Sequence, residues 1–323
     1  MRNLFVAVST DQNVANLPPI LQYAGRGDWV IWLESEEARN ECWRWGSEKV
    51  LHRRGIISNG HPLGDFMNPR EVGECAYNAV RQHLNRGPAT VYFVMNGGTK
   101  LMPLGLTLAG KALENAPVAV RYLYSNPRPV VLFSYEHPIE SNAPWRIRYH
   151  HARMLSLPEI AMINERTIPE DDVRWQPGKP FPETPLRDKK RRNKGYLFEK
   201  EIFYTTLSFL HGFDRDGYVI KEVRWGPKIM NEKQVEAELD VAIVLNNGVV
   251  IDLECKSGRS QIPKQKMMFR LHIIREATSH LAQTYIVRPT GSRHPRWNIP
   301  EMVEVIQEEQ FKARLREILS PFR

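Results

Sequence analysis

The most regular alternation of apolar and polar positions runs from Glu238 to Lys256, where two β-rich runs flank a turn signal at Asn246-Asn247-Gly248. Val241, Ile243 and Leu245 alternate with Asp240, Ala242 and Val244; on the return, Ile251 and Leu253 alternate with Val250, Asp252, Glu254 and Lys256. This predicts a hairpin whose strands each carry their charges on one face. A two-residue loop at Asn247-Gly248 would set Asp240 opposite Cys255, whereas a three-residue loop with Gly248 left-handed sets Asp240 opposite Glu254. Only the second register gathers Asp240, Glu254 and Lys256. Carboxylates brought that close repel each other unless a divalent cation that prefers oxygen ligands lies between them, so Mg2+ or Mn2+ is expected there.

Elsewhere the pattern predicts alternating strands and helices. Continuous apolar runs at 3–9, 28–33 and 90–95 read as strands, the first and third emptying into the loops that begin at Thr10 and Asn96. Asn68-Pro-Arg-Glu71 reads as a helix start, and 103–112 as a further helix, giving a doubly wound α/β order closed by a hairpin at 118–134. In the second half, 195–209 predicts an amphipathic helix with Phe198, Ile202 and Phe209 on one face, followed by a strand at 217–224. After the hairpin come a helix at 263–282, a strand at 284–288, and a C-terminal helix from about 300 to 319 that includes Met302, Val305, Ile306 and Phe311. A short helix at 158–165 and the Pro-rich run 175–185 mark a joint, dividing the chain into 1–145, a linker region 146–186, and 187–323.

Composition narrows the function classes. With 45 Lys and Arg against 37 Asp and Glu, the net charge of +8 is compatible with a polyanionic partner. Three scattered cysteines argue against a disulfide framework or a thiolate zinc site and for a reducing compartment. No apolar run approaches the roughly 20 residues of a membrane helix, so a cytoplasmic, membrane-free protein is expected.

In doubly wound sheets ligands bind beyond the carboxyl ends of strands, where both Ser9-Thr10 and Asn96-Gly-Gly-Thr-Lys100 fall. Gly97 and Gly98 permit close backbone approach, their amides suit a phosphate, and Lys100 adds positive charge. The plainer alternative is a strand-to-helix turn with a solvated Lys100, and the residues alone leave both open. Trp43 and Trp45 could stack on bases, but their spacing points them apart, which favours packing. His150-His151 reads as a surface pair. The basic run 187–194, with Lys189, Lys190, Arg191, Arg192 and Lys194, would attract a phosphate backbone just ahead of Glu199.

An acid-bearing helix, a strand with Asp, a return strand with Glu-x-Lys and a further helix resemble the core of the PD-(D/E)XK nucleases over residues 195–288. The resemblance implies catalytic roles for Glu199, Asp240, Glu254 and Lys256, and metal ligation by Glu199, Asp240, Glu254 and the Cys255 carbonyl; Leu239 stands where the signature proline would be. With the Ser9-Thr10 and Asn96–Lys100 loops, the whole chain resembles the CARF-plus-nuclease proteins of type III CRISPR defence, which cyclic oligoadenylates switch on. It implies an N-terminal Rossmann-like CARF domain with a mostly parallel sheet and a C-terminal restriction-endonuclease-like domain with a mixed sheet. It also implies a homodimer, DNA and further RNA as substrates, and cyclic tetra-adenylate as activator. Ser9, Thr10, Gln12, Asn13, Asn96, Gly97, Gly98, Thr99 and Lys100 would contact that activator. Two rival readings stand beside it: a nuclease needing no activator, and a nucleotide-sensing regulator that binds nucleic acid without cutting.

Overall fold

A computed structural model describes residues 2–85, 87–138, 143–169, 172–183, 194–232, 234–257, 264–291 and 303–323. The chain divides into two compact units, Met1–Met154 and Leu155–Arg323, each built on its own sheet.

The first unit runs β1 (Arg2–Val8), α1 (Leu17–Tyr23), β2 (Trp29–Glu34), α2 (Glu36–Asn40), α3 (Trp45–Arg53), β3 (Ile57–Pro62), α4 (Pro69–Leu84), β4 (Pro88–Val94), α5 (Leu101–Ala112), β5 (Ala119–Asn126), β6 (Val131–Glu136) and β7 (Trp145–Ile147). Its seven strands lie in the order β3-β2-β1-β4-β5-β6-β7. The first five are parallel, and β6 and β7 add antiparallel edges through the expected hairpin. Strand β1 is central because its apolar run packs on both faces: Phe5 stacks on Tyr92 at 4.8 Å, while Leu4, Val6 and Val8 join Val72, Ala76 and Ala79 of α4 in the core. Asn68 caps α4 as its sequence predicts, its carboxamide oxygen accepting the Arg70 N–H at 3.1 Å with Pro69 at the first turn. From β1 the chain moves outward to β2 on one side, and from β4 outward to β5 on the other. Strand order therefore reverses between β1 and β4, and the crevice beyond their carboxyl ends is where this architecture places ligands.

The second unit runs α6 (Leu157–Ile163), β8 (Val173–Trp175), α7 (Lys194–Phe213), β9 (Ile220–Trp225), β10 (Lys228–Asn231), β11 (Gln234–Glu238), β12 (Val241–Leu245), β13 (Val250–Cys255), α8 (Lys264–Ala277), β14 (Gln283–Arg288), β15 (Glu304–Gln307) and α9 (Phe311–Leu319). Its main sheet has the order β15-β14-β13-β12-β9-β8, parallel from β15 to β13 and antiparallel from there on. Phe203 of α7 stacks on Trp225 at 5.5 Å, so α7 covers the face that Trp225 shares with its neighbours Val241 and Leu253. Phe198 and Ile202 are buried as expected, whereas Phe209 is half-buried against Phe213.

One expected element is corrected. The C-terminal helix starts only at Phe311, and Val305 and Ile306 lie in β15, a parallel edge strand paired with β14. Val-Ile at this spacing satisfies either period, and the neighbouring strand decides between them. Within the segment read as a linker, β7 joins the first sheet, while α6 and β8 are built into the second unit. The Leu157 N–H donates to the buried Glu222 carboxylate at 2.8 Å.

Candidate functional site

The hairpin β12–β13 pairs Val241 with Leu253, Ala242 with Asp252 and Val244 with Val250, leaving Asn246-Asn247-Gly248 as the loop. Gly248 has φ +85° and donates its N–H to the Leu245 carbonyl at 2.9 Å, closing the three-residue turn. One step beyond the Val241–Leu253 pair, Asp240 falls opposite Glu254, which is the register the alternation predicts. The Asp240 carboxylate accepts the Cys255 N–H at 2.6 Å, and its carbonyl accepts the Gly226 N–H at 3.0 Å. Lys256 reaches across, its Nζ 3.8 Å from Asp240 Oδ2 and ion-paired with Glu254.

A residue absent from the sequence reading completes the cluster. Arg270, on α8, pairs with Glu254 and lies 3.6 Å from Asp252 Oδ1. The Asp252 side chain has no exposure, and that of Glu254 has 4%. Arg270 was findable: it interrupts the apolar stripe Met267, Leu271, Ile274, and a charge on a core stripe needs a buried partner.

Burial sets the electrostatics. Asp240 is pushed well above the usual carboxylate range, first by burial and then by Glu254, with Lys256 and Arg270 opposing. Glu199 on α7 is likewise raised by burial, against the pull of Lys256, with Glu238 and Glu254 adding to the rise. Burial works against the charge of Lys256, but Glu254 and Asp240 outweigh it and leave the ammonium strengthened. The structure thus brings Asp240, Glu254 and Lys256 into contact, with Glu199 close enough to feel their charges. Among the described residues no three His, Cys, Asp or Glu side chains converge closely enough to hold a metal ion as they stand. Here Glu254 is held by Lys256 and Arg270 instead. Of the basic run, Lys194 is exposed at the start of α7; Lys189, Lys190, Arg191 and Arg192 lie outside the described residues.

A cavity of about 380 Å³ opens at the β1/β4 reversal in the first unit. That is the lower part of the range typical of ligand pockets, about 300–1,000 Å³. Ser9, Thr10, Gln12, Asn96, Gly98 and Thr99 line it from the exits of β1 and β4.

The sequence matches no protein-family model and no curated protein. Solved structures do match. Can2 from Sulfobacillus thermosulfidooxidans, in complex with cyclic tetra-adenylate, superposes with a TM-score of 0.62 at 13% identity over 98% of this chain and 99% of its own. A type III CRISPR defence DNA nuclease activated by cyclic oligoadenylate matches 99% of this chain (TM-score 0.65, 16% identity), which spans about half, 52%, of that protein. The chain shares their fold. Protein VC1899 from Vibrio cholerae shares it too, with a TM-score of 0.70 and 12% identity over 99% of this chain and 98% of that one. At these identities the likeness is one of fold.

Three of the nine CARF positions named from sequence do not line the cavity. Asn13 is 1% exposed and acts as a brace, its amide oxygen accepting the Thr10 N–H at 3.0 Å while its amide donates to Ser9 Oγ at 3.3 Å. A Cβ on Gly97 would stand 2.7 Å from the Val8 carbonyl and 3.0 Å from Asn16, so this glycine serves contact with β1. Lys100 is the exposed N-cap of α5. Asn96 lines the cavity, yet its amide is spent on Ser125, donating at 2.8 Å and accepting at 2.7 Å. Glu37 and Phe66, which the sequence reading did not name, line the same cavity, as does Trp43, for which it favoured packing over stacking. Trp45 is 49% exposed at the start of α3.

Proposed function

We propose that this chain is a divalent-metal-dependent endonuclease, activated by cyclic tetra-adenylate, that cuts DNA and additionally RNA in type III CRISPR defence. The observation carrying it is a CARF-nuclease fold from end to end that has a partly buried Asp–Glu–Lys cluster on the hairpin of its second unit. The acids suit a hard cation: their donors are all oxygen, and burial with mutual repulsion raises Asp240 and Glu199, a cost that a cation relieves. Asp240 and Glu254 would hold Mg2+ or Mn2+, with the Cys255 carbonyl as a further ligand. When bound, the metal acidifies a water and neutralises charge on the attacked phosphate. Glu199, whose carboxyl burial raises above the usual range, would orient the attacking water and receive its proton. Lys256, kept charged by Glu254 and Asp240 against the cost of burial, stabilises the negative charge that develops on the phosphate.

The cavity at the β1/β4 reversal would take the activator, and a second copy of the chain would supply the other half of a two-fold site for a cyclic ligand. Ligand bound better by the closed dimer shifts the population toward cutting. The basic run 187–194 would guide the nucleic acid. Among the described residues no helix is long and apolar enough to cross a membrane; the cytoplasm is the compartment proposed for this activity.

One observation favours the non-cleaving alternative: Glu254 is already paired with two cations. The deciding assay incubates supercoiled plasmid and single-stranded RNA with the protein, Mn2+ and cyclic tetra-adenylate, omitting each in turn. Cleavage requiring both, and lost in Asp240→Asn and Glu254→Ala, is expected. Cleavage without the activator sinks the switch, and cleavage that survives both substitutions sinks the site.

A further inference from the structure

The lining of the CARF cavity is ordered along the sheet. Gly98 and Thr99 follow β4, Thr10 follows β1, Glu37 and Trp43 follow β2, and Phe66 follows β3, in the strand order β4-β1-β2-β3. Hydroxyls, loop backbone and Asp11 therefore sit at one end and Trp43, Phe66 and Glu37 at the other, β4 and β2 being about 10 Å apart at two strand spacings. A carboxylate in an anion site repels the ligand unless a donor group faces it.

The main chain of Trp43 is held at two points between α2 and α3, and its side chain is half-buried. Its backbone N–H donates to the Ala38 carbonyl at 3.1 Å, and its backbone carbonyl accepts from Asn13 Nδ2 at 2.9 Å. Cys42 just before it holds φ +57°, a left-handed turn that a non-glycine adopts only where its surroundings impose it. Because Asn13 also holds the Thr10 N–H, one buried amide sets the position of Trp43 relative to the β1 loop.

Resting on the nucleotide-sensing reading above, we propose that Trp43 is the wall on which a base of the activator stacks. Glu37 accepts from that base's exocyclic amine, while the phosphates lie over Thr10, Gly98 and Thr99. A held main chain keeps the indole at the cavity wall for stacking, and an acceptor-only carboxylate selects adenine over a base with a keto oxygen at that position.

Wild type, Trp43→Phe, Trp43→Leu and Glu37→Gln would be titrated calorimetrically with cyclic tetra-adenylate and with cyclic tetra-inosinate, after thermal melts establish that each is folded. Trp43→Phe is expected to stay within a few-fold of wild type. Trp43→Leu is expected to weaken binding roughly 10- to 100-fold, the range that stacking energies per base imply. Tryptophan fluorescence quenched by cyclic tetra-adenylate in wild type should lose its Trp43 part in Trp43→Phe. The inosinate ring should bind wild type more weakly, and Glu37→Gln should narrow that gap. A folded Trp43→Leu that binds like wild type overturns the stacking wall and leaves the activator reading intact. Equal affinity of wild type for the two rings overturns the role of Glu37. Wild type that binds neither ring overturns the activator reading and this inference together.

Discussion

Arg270 is the sharpest test of how the acidic cluster is held. It faces Asp252, which has no exposed surface, and Glu254, and is itself 18% exposed. Glu254 keeps Lys256 if the guanidinium is removed, but the ion pair described for Asp252 is lost. Taking one partner from a buried pair costs about 3–5 kcal/mol, because the other charge stays buried without compensation. Arg270→Met preserves most of the apolar stem and removes only the fork, so that cost applies with little added cavity. At about 2–4 °C per kcal/mol for a domain of 150–250 residues, the second unit should melt roughly 6–20 °C lower. The assay is thermal and urea unfolding by circular dichroism in EDTA, so that metal binding does not contribute. Asp252→Asn keeps the volume and removes the charge; combined with Arg270→Met it should recover more than half of the loss, a coupling of about 2 kcal/mol or more. A single-variant loss below about 1 kcal/mol, the value of an exposed pair, or a double variant no more stable than Arg270→Met, would refute the account of Arg270 as the counterion of Asp252.

Two more expectations concern the CARF unit. Glu34, 3% exposed, is raised by burial despite Arg44 at 3.4 Å. Its native state holds a proton more tightly than its unfolded state. The unit should therefore lose stability as pH rises from the unfolded carboxylate value through the higher native one, and Glu34→Gln should flatten that slope in melts across the range. Gly97→Ala should lower the melting temperature of the ligand-free protein, by about 1–3 kcal/mol of overpacking against β1; a variant as stable as wild type would show that Gly97 has no packing role.

What was legible depended on whether neighbours in sequence or neighbours in space decide the structure. The Asp240–Glu254 register follows from a period of two and one glycine that can turn left-handed, both local, and it is present as read. Strand β1 and the cap of α4 are equally local. Strand β3, Ile-Ser-Asn-Gly-His-Pro, carries no β signal and is an edge strand held by pairing with β2, so nothing in its own residues announces it. Strand β15 carries an ambiguous signal, its Val-Ile fitting either period, and is likewise decided by pairing with its neighbour β14. In the site, residue type pointed to the acids and the lysine, but Arg270 arrives from a helix after the hairpin and shows only as a charge on an apolar stripe. The cavity divides likewise. The exits of β1 and β4 were marked by Thr10 and the Gly-Gly loop, whereas Trp43 and Glu37 come to the rim only because β2 lies beside β1. Asn13 was found for its chemistry and serves as a brace.

Asp240 joins three strands: its carbonyl takes the N–H after β9 and its carboxylate takes the last N–H of β13. An acid proposed for chemistry is thereby also part of the weave of the sheet, and the two duties answer to different pressures over time. If the proposed cutting were lost, a descendant could shed Glu199 or Lys256 without disturbing a strand, yet would still need a short side-chain acceptor at 240. Among lapsed copies of this chain, a surviving Asp or Asn at that position would record the architecture and say nothing of activity.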